Sequence, residues 1–134
     1  MKGDSLLERW FAAGDAGDLD SFDDFLHPDV VVHAPMGLST QGPEAEKEVW
    51  REALRAMPDI RHEIQEVIDD GSMIAARAIV TGTLKGDFAG ISANHRSFKV
   101  DQGLFAHVRE GRIVEAWEIV DTASLLRQLG AIPD

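Results

Sequence analysis

The hydrophobic period changes at Asp59, and that change restricts the fold more than any other feature of the chain. Before it, apolar residues recur at the spacing of a helix face; from Asp59 to Asp121 they follow the alternation of strands. Three helices are expected on the early side. Ser5 to Gly14 opens with Ser5 and Glu8 at capping-box spacing, carries Leu6, Leu7, Trp10 and Phe11 as an apolar stripe, and is expected to stop at Gly14. A short second helix holds Leu19, Phe22, Phe25 and Leu26 and ends at His27, because a following proline disfavours the helical region. Glu44 to Met57 sets Ala45, Val49, Trp50, Ala53, Leu54 and Met57 on one stripe, with Glu46, Glu48, Arg51 and Arg55 expected to face away. A short buried strand, Asp29 to Ala34, separates the second helix from a Gly- and Pro-containing loop.

After Asp59 the strands follow one another through tight turns. Asp70-Gly71 and Glu110-Gly111 are hairpin signals, and Gly86 to Arg96 is a longer connection. Arg112 to Val120 is the last strand, Thr122 to Leu129 a closing helix, and Gly130 its stop. Helices gathered on one face of a mostly antiparallel sheet define a single α+β domain over residues 1–134. Long strands twist and bend. A cone-shaped α+β barrel is therefore expected, a strongly curved sheet wrapped around the N-terminal helices, with its mouth as the natural place for a pocket.

Strand alternation sorts the residues that could line that pocket. If Phe105 and Trp117 turn toward the helices, His107 and Asp121 come with them, and His62 shares the Ile60/Ile64 face. His33 follows three valines. On this assignment Val100, Leu104, Ala106, Val108, Val114, Ala116 and Val120 lie on the convex face, where an apolar patch would favour a homodimer or tetramer. Asp121 has a plainer role open to it as the cap of the helix beginning at Thr122. His107, Trp50, Trp117 and Phe105 can equally be core residues. Arg77, a lone charge within an apolar strand, can pair with Asp101 or meet a ligand carboxylate.

Composition enters as a set of exclusions. A formal net charge of −11, with 13 basic residues scattered among 24 acidic ones, argues against nucleic acid. No apolar run reaches the ~20 residues of a membrane helix, and the first residues lack a signal-peptide layout. The absence of Cys removes thiolate chemistry and fits a reducing cytoplasm. No short-spaced ligand pair supports a metal, so neither metal nor cofactor is expected, and a small hydrophobic or aromatic molecule is the expected partner.

Four stretches give the chain a family likeness: HPDVVVHAP after two helices, GPEAEKEVWREAL, IVTGTLKGDFAGI, and LFAHVREGRIVEAWEIVDTASLLRQLGAIP. Together they resemble the SnoaL-like polyketide cyclase and ester cyclase family of the nuclear-transport-factor-2-like superfamily, over nearly the whole chain. The resemblance implies cofactor-free ring closure by intramolecular aldol chemistry, with Asp121 as acid/base. It also implies that His107 and His33 line the pocket and contact substrate. Trp50, His62, Phe105 and Trp117 would complete a flat, mostly apolar wall. Within the same fold, a hydroxylase or an epoxide hydrolase is the alternative enzyme, although Arg77-Ala78-Ile79 lacks the Arg-x-Asp step that the latter uses. A ketosteroid isomerase, a worked case of carboxyl tuning, needs a Tyr that this chain lacks. A non-catalytic binding or dimerisation module is the non-enzyme alternative.

Overall fold

The computed structural model describes residues 5–133. Helix α1 (Leu6–Asp15) starts as its sequence predicts: the Ser5 hydroxyl accepts from the Glu8 amide at 3.1 Å and donates to the Glu8 carboxylate at 2.9 Å. It does not stop at Gly14. That glycine stays inside the helix because the Trp50 indole lies against it; a Cβ there would sit 2.4 Å from an indole carbon. Gly14→Ala is therefore expected to cost about 1–3 kcal/mol as overpacking, despite alanine's better helix propensity. Urea unfolding measures this, and an unchanged midpoint would contradict it.

A single 3-10 turn leads into α2 (Phe22–Phe25), then strand β1 (Leu26–His33) and a short strand β2 (Ser39–Gln41) within the predicted loop. Helix α3 (Pro43–Ala56) has proline in its first turn and Gly42 as its N-cap at φ 87°. Strands β3 (Arg61–Asp69), β4 (Met73–Thr83), β5 (Ser97–Arg109) and β6 (Arg112–Val120) follow, then helix α4 (Thr122–Gln128). The Glu110-Gly111 turn holds both residues at positive φ, 57° and 76°, which matches the twist of a two-residue hairpin.

The six strands form one curved, unclosed sheet in the order β2-β1-β6-β5-β4-β3. Every pairing is antiparallel except β1 with β6, which run parallel from Leu26↔Ile113 to His33↔Trp117. This is the expected α+β architecture. Among the described residues no helix is long and apolar enough to cross a membrane.

The sheet faces are the reverse of the assignment made from aromatic size. Ile74, Ala78 and Val80 of β4, Val100, Leu104 and Ala106 of β5, and Ala116 of β6 are buried beneath the helices. The outer face carries Met73, Arg77, Asp101, His107 and the 58%-exposed Ile119, with Phe105 and Trp117 half-buried among them. The reason is volume. The helices fill the concave side with Trp10, Phe11, Phe22 and Trp50, so the strands below them contribute small residues. A register shift between His107 and Val108 then brings Ile113 into the core, although simple alternation from Ala116 would not.

Candidate functional site

A cavity of about 130 Å³ opens between the sheet, α3 and α4. Met57, Val80, Phe98, Val100 and Leu129 give it apolar walls, and the segment Ala34–Leu38 with Phe88 and Ile91 forms its rim. Among the described residues, four ionisable or amide side chains line it: Glu46, His62, Gln102 and Glu118. In a wall otherwise so apolar, each of the four needs a physical account.

Glu46 comes from the first turns of α3 and is 1% exposed. One carboxylate oxygen accepts from the Thr40 hydroxyl and the other from the Trp50 indole N–H, both at 2.9 Å. Burial pushes its pKa up from 4.5 to about 7, and the two hydrogen bonds oppose that rise. Glu118 comes from β6. As a residue it is half-buried because it faces the open cavity, yet its Oε2 is out of contact with solvent and has no hydrogen-bond partner. Burial, and then the charge of Glu46, hold the Glu118 carboxyl well above the ordinary range. Burial thus favours the protonated form of Glu118, the form that can donate a hydrogen bond. Gln102, on the adjoining strand and 5% exposed, likewise presents an unpartnered Oε1.

His62 is held from behind. Asp15, at the end of α1, takes the His62 backbone N–H on one oxygen and Nδ1 on the other, each at 2.7 Å. The imidazole lies edge-on to Phe11, with centroids 5.0 Å apart, and tilted on Trp50 at 5.3 Å. It has little rotational freedom.

The sequence-predicted residues fall into two groups. Trp50 and His62 line the cavity. His33, His107, Phe105 and Trp117 come together elsewhere, on the convex face: Trp117 lies stacked on His33 at 5.4 Å and tilted against His107 at 5.3 Å, with Phe105 as its cross-strand partner. Glu115 bonds His33 Nε2 at 2.8 Å. Asp121 accepts from the Ser124 amide at 3.0 Å as the N-cap of α4, and it is not among the cavity's lining residues. The expectation that alternation carries His107 and Asp121 inward with Trp117 is corrected by the reversed faces. Arg77 is also on the outside, bonded to Glu66 at 2.7 Å and 4.0 Å from Asp101. Asp121→Ala should cost about 1 kcal/mol while Asp121→Asn, still a good cap, costs only a few tenths; thermal melting distinguishes these, and equal losses would contradict the capping role.

Glu46, Gln102 and Glu118 are the polar cavity residues that sequence reasoning missed. For Glu46 a signal existed: it precedes Trp50 by one helical turn, and with Val49, Ala53 and Met57 it completes the inward stripe on which the apolar residues were recognised. Its charge hid its position. Gln102 and Glu118 share the parity of Leu104, Ala106, Ala116 and Val120, so one correct choice of face would have found both.

Among the described residues no cluster of three or more His, Asp or Glu side chains is arranged to hold a metal. The family model described as SnoaL-like polyketide cyclase matches residues 5–129. Among solved structures, IdmH of Streptomyces antibioticus, described as a candidate polyketide cyclase, is 28% identical, with a TM-score of 0.81 over 97% of this chain and 99% of its own. TsrD of Streptomyces laurentii is 28% identical, with a TM-score of 0.85 over 95% and 93%. AclR of Streptomyces galilaeus, described as a candidate hydroxylase, is 24% identical with a TM-score of 0.80 over 96% and 85%, which establishes the fold alone. No curated protein matches the chain.

Proposed function

Because the chain belongs to the SnoaL-like polyketide cyclase family, we propose that it is a cofactor-independent acid–base enzyme closing a ring by intramolecular aldol chemistry. Its substrate is a small carbonyl compound of polyketide type, and Glu118 rather than Asp121 is the acid. One observation carries the reading: an unpartnered, solvent-free carboxyl oxygen on Glu118 in a mostly apolar cavity. Leaving such a group without a partner costs about 1–3 kcal/mol, a cost that a bound carbonyl oxygen removes by accepting the Glu118 proton in a hydrogen bond. The same bond strengthens as negative charge develops on that oxygen, so it favours the transition state over the ground state. Gln102, beside it, is available to orient a hydroxyl or enol of the substrate.

The cavity also sets a size. An apolar protein cavity of roughly 150 Å³ holds one benzene, and this one measures about 130 Å³. One ring is therefore the portion of substrate that sits among the carboxyls, and any remainder lies in the mouth near Met36, Leu38 and Ile91. Two carboxyls facing the ligand disfavour an anionic substrate, which accords with an ester or ketone.

The test is turnover of an aryl polyketide methyl ester by wild type and Glu118→Gln. The substitution is expected to lower kcat about 10²–10⁴-fold, the usual range for a general acid, with a smaller change in KM. Equal kcat would remove Glu118 from the chemistry. A binding module without turnover is the second reading, favoured by the engagement of Asp121 as a cap. It predicts measurable binding of the ester to wild type with no product.

The same proposal extends to assembly as a homodimer. The convex face offers Phe105, Trp117, the exposed Ile119 and Met73 as its apolar surface, in place of Val100, Leu104, Ala106 and Ala116, which are buried. Light scattering should give twice the chain mass, and Ile119→Asp should shift it toward monomer.

A further inference from the structure

We propose that Asp15 and His62 form the base that works opposite the Glu118 acid, with His62 as the catalytic residue and Asp15 as its positioning residue. The proposal rests on the reading of the cavity as an acid–base site and names the group that reading leaves out.

The geometry is that of an oriented imidazole. Asp15 accepts from the His62 amide and from Nδ1 at 2.7 Å each, so the carboxylate is fixed to the backbone as well as to the ring. A proton on Nδ1 shared with Asp15 leaves Nε2 as the lone-pair nitrogen of the neutral ring. Among the described residues Nε2 has no hydrogen-bond partner, and His62 lines the cavity. Phe11 and Trp50 press on the ring and stop it turning over. A buried imidazole needs a hydrogen-bond partner in any role; its place in the cavity wall is what a packing role would not require.

Trp50 connects the two halves of the site. Its indole touches His62 on one side, and its N–H bonds Glu46 at 2.9 Å on the other, next to Glu118. Both His62 and Glu118 line the same cavity.

The step balances without any co-reactant. The proton on the carbon beside the substrate carbonyl passes to His62 Nε2. The C–H electron pair becomes the C=C bond of the enol, and the carbonyl π pair moves onto oxygen, which takes the Glu118 proton. The enol carbon then attacks a second carbonyl of the same molecule and forms the ring C–C bond. The imidazolium proton goes to the new alkoxide, and the enol O–H proton returns to Glu118. Both groups end in their starting states.

Acetophenone is a probe small enough for the cavity, and exchange of its methyl protons in D2O isolates the first proton transfer. Wild type should exchange them faster than buffer. His62→Asn keeps an amide N–H where Nδ1 stood, so the Asp15 contact and the fold are retained while Nε2 is lost; exchange should fall about 10²–10⁴-fold. Asp15→Asn should lower kcat at least about tenfold by favouring the wrong tautomer, with KM little changed, a split that simple loosening of the fold would not produce. Exchange by His62→Asn at the wild-type rate, with loss in Glu118→Gln, would overturn the dyad and leave the Glu118 reading standing. Loss in His62→Asn with none in Glu118→Gln would support the dyad and remove Glu118. Wild-type exchange no faster than buffer would overturn both.

Discussion

Glu118→Gln is expected to stabilise the folded protein at pH 8 while it removes turnover. The wild-type fold keeps two carboxyls in one apolar cavity, and each is a better proton binder there than in the unfolded chain. For Glu46 the folded value is about 7 against 4.5. Its contribution to stability is therefore fully present below pH 4.5 and is lost as pH rises toward 7, because the unfolded chain releases a proton that the fold retains. At about 1.4 kcal/mol per pH unit, this one group accounts for on the order of 3 kcal/mol. Glu118, raised by burial and then by the charge of Glu46, adds to the loss in the same direction. Glutamine cannot ionise, so the substitution removes the contribution of Glu118 to this pH dependence. Guanidinium unfolding at pH 5 and pH 8 measures the effect. Wild type should be weaker at pH 8 by a few kcal/mol, and the variant should show a shallower slope. Equal wild-type stability at the two pH values would mean that the carboxyls are not buried as described.

Phe11→Ala is expected to cost about 3–5 kcal/mol, a large part of the roughly 5–15 kcal/mol of a whole domain. Phe11 is 1% exposed and meets Trp10, Trp50 and His62 edge-on at centroid distances of 4.8, 5.3 and 5.0 Å. Deleting the ring removes its burial and opens a void that three rigid rings cannot close. It also frees the imidazole on the side away from the cavity. Phe11→Leu, which keeps most of the volume, should cost far less in stability. Urea midpoints give both values; a loss under 1 kcal/mol for the alanine variant would mean that the aromatic cluster repacks.

What the sequence made legible was local. The capping box at Ser5 and Glu8 and the bounds of the last strand are set by neighbours along the chain, and the structure reproduces them. Which sheet face turns inward is not local. β5 carries Phe105 on one parity and Leu104 on the other, so only the helices above decide which is covered. Gly14 illustrates the same point: read alone it ends a helix, whereas in the fold it makes room for an indole more than thirty positions away. The site followed the face. Aromatic size points to the wrong parity and so hides Glu118 and Gln102, while the charge of Glu46 suggests an exposed position that burial in the fold overrides.

The parallel pairing of β1 with β6 has a consequence for how the chain reaches this state. Leu26 finds its neighbour at Ile113, so β1 stays an unpaired edge on that side until the chain has been made as far as β6. Helix α1, which holds Asp15, and strand β3, which holds His62, can meet earlier, but the parallel pair waits for the final hairpin to close. Contacts of such long sequence separation make folding slow. On the ribosome the N-terminal helices would emerge without the strand that seals them, leaving the first third of the chain as the segment most exposed to misassociation before synthesis ends.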